Sequence, residues 1–175
     1  RSADRRKLHT FHKRTLFRSE TLKQGRVETR RTGYNWEQKI SAYSFIAVSR
    51  YARPWLTKPA SLITLTYFGA TRAIPNYNMM GVAKAALESS VRYLATDLGT
   101  EQIRVNAISA GAVKTLAVTG IKGHGDLLKM STSLTVDQQS VTTSEIGNVA
   151  AFLLSDLSTG MTGDILYVDK GVHLM

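Results

Sequence analysis

The chain has 175 residues, 43% of them hydrophobic and 21% charged, with a formal net charge of +10 and no cysteine. That balance excludes wholesale disorder and fibrous repeats, and the missing cysteines exclude disulfide frameworks, thiolate zinc sites and a cysteine nucleophile. No apolar run approaches the ~20 residues needed to cross a bilayer, and no apolar secretory core is found, so a soluble cytoplasmic protein is expected.

Residues 1 to 31 carry 11 Lys or Arg against three acidic residues, whereas residues 32 to 175 carry 12 against 10. The chain therefore reads as a basic leader, residues 1–33, followed by a nearly neutral body, residues 34–175. In the leader the apolar residues are sparse and keep no helical or strand period, so it is predicted to be poorly ordered. Charge confined to the leader argues against a nucleic-acid-binding body. One alternative function stays open, a non-catalytic basic binding protein whose leader contacts nucleic acid or an acidic partner.

From about Tyr34 the pattern changes. Ile40, Tyr43, Ala47, Val48 and Tyr51 recur at helical spacing, and Pro54 ends that helix. The run SLITLTY reads as a buried strand, followed by the loop YFGATRAIPN. A long helix is predicted from about Asn78 to Leu98, with Val82, Ala85, Ala86, Val91 and Leu94 as its apolar positions and Gly99 as its end. IRVNAIS is the second strand. Residues 109–141 are rich in glycine, threonine and serine, a length that suits a functional lid. Thr142 to Glu145 match a capping box, the helix continues through Leu154, and DILYVD is the third strand.

Strands separated by helical crossovers are the grammar of an α/β fold with a parallel sheet. Ligands of such folds bind at the carboxyl ends of the strands, which selects the loops starting at Tyr67, Ser109 and Lys170. Only the first two read as chemically rich. No G-x-G-x-x-G occurs between a strand and a helix, so the phosphate cradle of a dinucleotide fold is missing from the chain.

The segment NYNMMGVAK sets Tyr77 and Lys84 seven residues apart at the start of the long helix. Seven steps of ~100° return to within ~20° of the starting direction, with ~10 Å of rise between the two side chains. Lys84 is thereby suited to donate to a ribose diol and Tyr77 to meet a substrate. By themselves a tyrosine and a lysine at this spacing more often mean an interfacial ring and a surface cation. His9, His12, His124 and His173 have no Asp or Glu partner at metal-ligand spacing, so no metal site is expected.

The run LITLTYFGATRAIPNYNMMGVAKAALESSVRYLA, followed by RVNAISAG, TLA and IGNVAAFLLSD, resembles the enoyl-acyl carrier protein reductases, a divergent branch of the short-chain dehydrogenase/reductase superfamily. The resemblance covers about residues 40–172, and its Tyr-x6-Lys spacing differs from the general superfamily's Tyr-x3-Lys. It implies the C-terminal part of a Rossmann-like, doubly wound parallel sheet with helices on its faces. It implies an oxidoreductase of fatty acid biosynthesis that transfers hydride from NADH to the β-carbon of a trans-2-enoyl thioester carried on acyl carrier protein.

By the same resemblance, Tyr77 hydrogen-bonds the thioester carbonyl, Lys84 holds the nicotinamide ribose, and Tyr67 is the second active-site tyrosine. Met80 lines the pocket, Val113 meets the nicotinamide carboxamide, Thr115 faces the pyrophosphate and Ile121 belongs to a substrate lid. Gly111 permits close backbone approach in the same loop. Relatives resemble homotetramers. Departures are Ala112, where many relatives carry proline, and Gly125, Asp126, Gln138 and Gln139, which stand where relatives often have basic residues for carrier-protein docking; Lys122 keeps one such charge. The 33 residues before the body are too few for the family's first βαβαβ unit. The chain is therefore expected to lack the adenosine-binding half and, alone, to bind NADH weakly or not at all.

Overall fold

The computed structural model describes residues 30–75, 77–113 and 124–175. The first helical stretch runs as α1 (Arg31–Gln38), a π-helical turn (Lys39–Tyr43) and α2 (Ser44–Ala52). It ends in the 3-10 turn Arg53–Trp55, which contains Pro54. Then follow β1 (Ala60–Thr66), α3 (Asn78–Gly99), β2 (Ile103–Ala110), α4 (His124–Ser133), α5 (Thr143–Leu154) and β3 (Ile165–Val168). The three strands form one parallel sheet in the order β1-β2-β3. Among the described residues no strand pairs with the other edge of β1.

The helices cover the sheet in two layers, and strand alternation assigns the residues to each. Val105 and Ala107 of β2 pack with Val91, Ala95 and Leu98 of α3, and Leu62 of β1 joins this cluster. On the opposite face, Ser61 donates from Oγ to the Leu153 carbonyl at 2.8 Å, and the Arg104 guanidinium donates to the carbonyls of Leu153 (2.9 Å) and Ser155 (3.2 Å). Those bonds tie the end of α5 to β1 and β2 and satisfy carbonyls that a helix end leaves open. Asn106 works the same way. Its side chain donates to Met161 O at 2.9 Å and accepts from Asp164 N at 3.0 Å, which sets the entry of β3.

The capping box read from the sequence is present: Thr142 Oγ1 accepts from the Glu145 amide at 3.2 Å, and Glu145 Oε2 accepts from the Thr142 amide at 2.7 Å. The apolar stripe expected on the first helix is turned the other way. Tyr43, Val48 and Tyr51 are exposed, while Ala42 and Ser49 are buried and Phe45 packs against the core. Small residues let the helix lie close, and Ser49 hides its hydroxyl by donating to Phe45 O at 2.8 Å. On α3 the buried positions are Ala83, Leu87, Glu88, Val91, Ala95 and Leu98, so Val91 is shared with the expected face and Val82 is exposed. A helix with apolar residues on several sides does not disclose by period alone which side meets the sheet.

Candidate active site

The carboxyl end of β1 organises the site. β1 stops at Thr66, Tyr67 continues extended, and a 3-10 turn, Phe68–Ala70, bends the chain away. Tyr77 is the N-cap residue of α3, and its carbonyl accepts from the Met80 amide at 3.1 Å. The rings of Tyr67 and Tyr77 lie 5.0 Å apart at 60°, and Tyr67 also meets Phe68 edge-on at 4.6 Å. Aromatic pairs favour such tilted contacts over flat stacking.

Two glycines open the slot that holds Tyr77. A Cβ on Gly69 would stand 2.5 Å from Tyr77 Cδ1, and a Cβ on Gly81 would stand 2.7 Å from Gly69 O. Both positions are therefore glycine because the ring and the backbone carbonyl occupy the space. Met80 sits beside the tyrosine turn, where its sulfur accepts a contact from Ser41 Oγ at 3.4 Å. One helical stretch further along α3, the Lys84 ammonium donates to the carbonyl of Leu65 at 2.8 Å. Tyr77 and Lys84 thus reach the same strand end, Tyr77 at Tyr67 and Lys84 at Leu65.

Electrostatics follow from burial and neighbours. Burial, then the Tyr67 phenol, then the Glu37 carboxylate push the Tyr77 phenol well above the ordinary tyrosine range. Tyr67 is also raised, by burial first and by Asp169 second. Both phenols are therefore neutral donors at pH 7. Burial lowers Lys84 below the ordinary lysine value, and the nearby Glu88 carboxylate opposes that shift. Burial raises the Glu37 carboxyl.

The second and third strand ends adjoin this corner. Gly111 donates its amide to Val168 O at 2.9 Å, and a Cβ there would lie 2.8 Å from Val141 Cγ2 and 3.0 Å from Asp169 Cα. The close approach that Gly111 permits is thus to the turn after β3. Val113 is half-buried at the end of this loop. Thr115, Ile121 and Lys122 lie outside the described residues. Ser109, the penultimate residue of β2, is 1% exposed, and its Oγ has no hydrogen-bond partner among the described residues.

The loop after β3 is richer than its sequence suggested. Asp169 is 2% exposed and accepts from the amides of Gly171 and His173, both at 3.0 Å. His173 Nδ1 lies 2.8 Å from Asp169 Oδ1, and its ring stacks on Tyr167 at 4.0 Å. The acidic partner of His173, which its sequence spacing did not announce, is therefore Asp169, four residues earlier in the chain. Gly171 has φ +82°, and a Cβ there would strike Val136 Cγ2 at 2.5 Å, so only glycine fits. Among the described residues no group of three or more His, Asp or Glu side chains is arranged to hold a metal ion.

Sequence reasoning brought Tyr67, Tyr77, Met80 and Lys84 together and missed Glu37, Gly69, Gly81, Glu88 and Asp169. The Lys84 to Glu88 spacing, four residues on one helix, was a legible signal. Glu37 and Asp169 reach the tyrosines from distant elements, and no local pattern announces them.

The sequence model of the family described as Enoyl-(Acyl carrier protein) reductase matches residues 6–173, further toward the N-terminus than the motifs alone indicate. An enoyl-[acyl-carrier-protein] reductase [NADH] FabI of Enterococcus faecalis (strain ATCC 700802 / V583) is 52% identical over 163 residues, covering 93% of this chain and 65% of the relative. The FabI of Bacillus subtilis (strain 168) is 48% identical over 148 residues, covering 85% of this chain and 57% of the relative. A solved Bacillus cereus enoyl-acyl carrier protein reductase, with NADP+ and indole naphthyridinone, superposes with TM-score 0.86 at 44% identity, covering 90% of this chain and 62% of that one. An Anaplasma phagocytophilum enzyme in complex with NAD gives TM-score 0.84 at 44% identity, with 90% and 60% coverage. The chain spans less than two thirds of the length of these relatives.

Proposed function

Because this chain belongs to the enoyl-(acyl carrier protein) reductase family, we propose that it carries the reacting part of an NADH-dependent enoyl-acyl carrier protein reductase of fatty acid biosynthesis. The observation that carries this reading is the convergence of Tyr67, Tyr77 and Lys84 on the end of β1. The residues present suit a reduced nicotinamide. Lys84 has three donor hydrogens and donates to Leu65, and the buried Ser109 hydroxyl is unpartnered among the described residues. Lys84 and the backbone from Gly111 to Val113 would hold the nicotinamide riboside, which would supply hydride for the β-carbon of a trans-2-enoyl thioester.

The chain's own side chains supply the rest of the chemistry. Tyr77, kept neutral by burial, donates its hydroxyl hydrogen toward the thioester carbonyl oxygen, where negative charge grows as the β-carbon is reduced. Tyr67 supports that ring from the side, and Met80 lines the acyl path. Carrier-protein delivery of the acyl group, a cytoplasmic setting and a homotetramer complete the reading. Among the described residues no helix is long and apolar enough to cross a membrane. The exposed Val48, Tyr51, Trp55 and Tyr93 offer apolar surface for contacts between copies.

The sequence holds no glycine-rich strand-to-helix turn for the adenosine side, so the chain by itself binds NADH weakly or not at all. Micromolar affinity by calorimetry would overturn that expectation. The site itself is tested with reduced nicotinamide mononucleotide and a short trans-2-enoyl thioester, followed by NMR of the Tyr67 and Tyr77 rings and of Lys84 Cε. Saturable shifts are expected at Lys84 with the mononucleotide and at the tyrosines with the thioester. Lys84→Met removes the first response and Tyr77→Phe weakens the second. No shift at any of the three up to the solubility limit refutes the reading.

A further inference from the structure

Two consecutive residues at the end of β1 are gripped by two residues of α3 four positions apart. Lys84 donates to the backbone carbonyl of Leu65 at 2.8 Å. Glu88 Oε1 accepts from the hydroxyl of Thr66 at 2.7 Å. Tyr67 is the next residue in the chain and carries one of the two site phenols. Glu88 is only 7% exposed, and a carboxylate taken out of water is strongly unfavourable unless it is hydrogen-bonded and balanced by charge.

Helix stability does not explain this pair. On an isolated helix the favourable order places the acidic residue before the basic one, and here Lys84 precedes Glu88. Core packing does not explain it either, because the face is otherwise built of Ala83, Leu87 and Val91, and a leucine at position 88 would extend it without a desolvated charge. The register adds a third polar group. Thr66 lies opposite Ser109 in the parallel ladder, so both hydroxyls are on the α3 face, and that of Ser109 has no partner among the described residues.

We propose that Glu88 is a positioning residue of the site: by accepting from Thr66 it fixes the strand end from which Tyr67 projects, and, four residues on from Lys84, it sets a carboxylate on the same side of α3 as that ammonium. This rests on the reading that Tyr67 and Lys84 serve the reductase reaction, and it adds a residue that touches neither substrate nor cofactor. Among the described residues the titratable groups around this corner are Glu37 from α1, Tyr67 at the end of β1, Tyr77 at the start of α3 and Asp169 from the turn after β3. The field that opposes the desolvation of Lys84 comes from Glu88.

The experiment titrates the Lys84 Cε resonance of the purified chain by NMR, without ligand, in the unsubstituted protein, Glu88→Gln and Thr66→Val. A charged Lys84 at pH 7 is expected in the unsubstituted chain. Glu88→Gln keeps an acceptor for Thr66, so it shifts the Lys84 midpoint to lower pH while amide exchange at the Thr66 end of β1 stays slow. Thr66→Val does the reverse, speeding exchange there and leaving the Lys84 midpoint in place. An unchanged Lys84 midpoint in Glu88→Gln overturns the proposal, as does a neutral Lys84 at pH 7 in the unsubstituted chain. Should Glu88→Gln fail to fold, the Thr66→Val exchange pattern and the charge state of the unsubstituted Lys84 still decide it. Because no ligand is used, failure of this clamp is distinguishable from failure of the nicotinamide mononucleotide titration.

Discussion

Replacing Gly69 with alanine isolates the contact that seats Tyr77. The added Cβ would stand 2.5 Å from Tyr77 Cδ1, 2.7 Å from Cε1 and 3.3 Å from Tyr67 Cδ1. Comfortable carbon contacts are ~3.5–4.0 Å, so the Tyr77 ring has to retreat by about 1 Å. It has little room, since the Tyr67 ring centre lies 5.0 Å away and the Gly81 side is close as well. Two effects oppose each other. Alanine restricts the unfolded chain and gains ~0.4–1 kcal/mol where its backbone is unstrained, and Gly69 is not among the positive-φ glycines. Overpacking costs ~1–3 kcal/mol, which is the larger effect, so a net loss is expected. The assay is urea denaturation of Gly69→Ala, Tyr77→Ala and the double variant. In the Tyr77→Ala background the ring is gone, and Gly69→Ala should become neutral or stabilising, a coupling of ~1–3 kcal/mol. Equal effects of Gly69→Ala in both backgrounds would refute the reasoning, because the ring would then not occupy that slot.

Other substitutions test the layers and the charges. Leu153 is fully buried while its neighbour Leu154 is 53% exposed, so Leu153→Ala should cost ~2–5 kcal/mol and Leu154→Ala within about 0.5 kcal/mol of zero by chemical denaturation. Equal losses would mean that α5 presents another face to the sheet. Three carboxylates have folded values held below the ordinary range: Glu101 by hydrogen bonds from Arg53 and Lys58, Asp137 by Lys170 and the Gln139 amide, and Glu145 by Thr142 with Lys170 nearby. Their contribution is complete above the ordinary carboxylate values of 4.5, 3.8 and 4.5 and is lost as pH falls through the lower folded values. Lys170 is raised above its ordinary 10.5, so its contribution is present below that pH and lost as pH rises through the higher folded value. Denaturation midpoints should therefore fall on acidification below about pH 4.5. The triple variant Glu101→Gln, Asp137→Asn, Glu145→Gln should flatten that fall; an unchanged acid slope would show that the ion pairs do not persist in solution.

The amino-acid order alone settles what depends on neighbours along the chain. Alternating strand and helix patterns disclose the parallel α/β architecture, Thr142 and Glu145 disclose a helix start, and Tyr77 with Lys84 discloses two side chains on one side of α3. These are legible because helix period, strand period and capping chemistry act within a few residues. Tertiary structure decides which side of each element is buried. The stripe of Tyr43, Val48 and Tyr51 has a helical period yet faces outward, since close packing selected Ala42 and Ser49. It also decides the electrostatics. Glu37 reaches Tyr77 from α1, Asp169 reaches Tyr67 from the turn after β3, and Thr66 meets Glu88 across 22 positions of sequence. Coulomb forces and hydrogen bonds depend on distance in space, and that distance exists only once the three strands have paired and α3 has been laid across them.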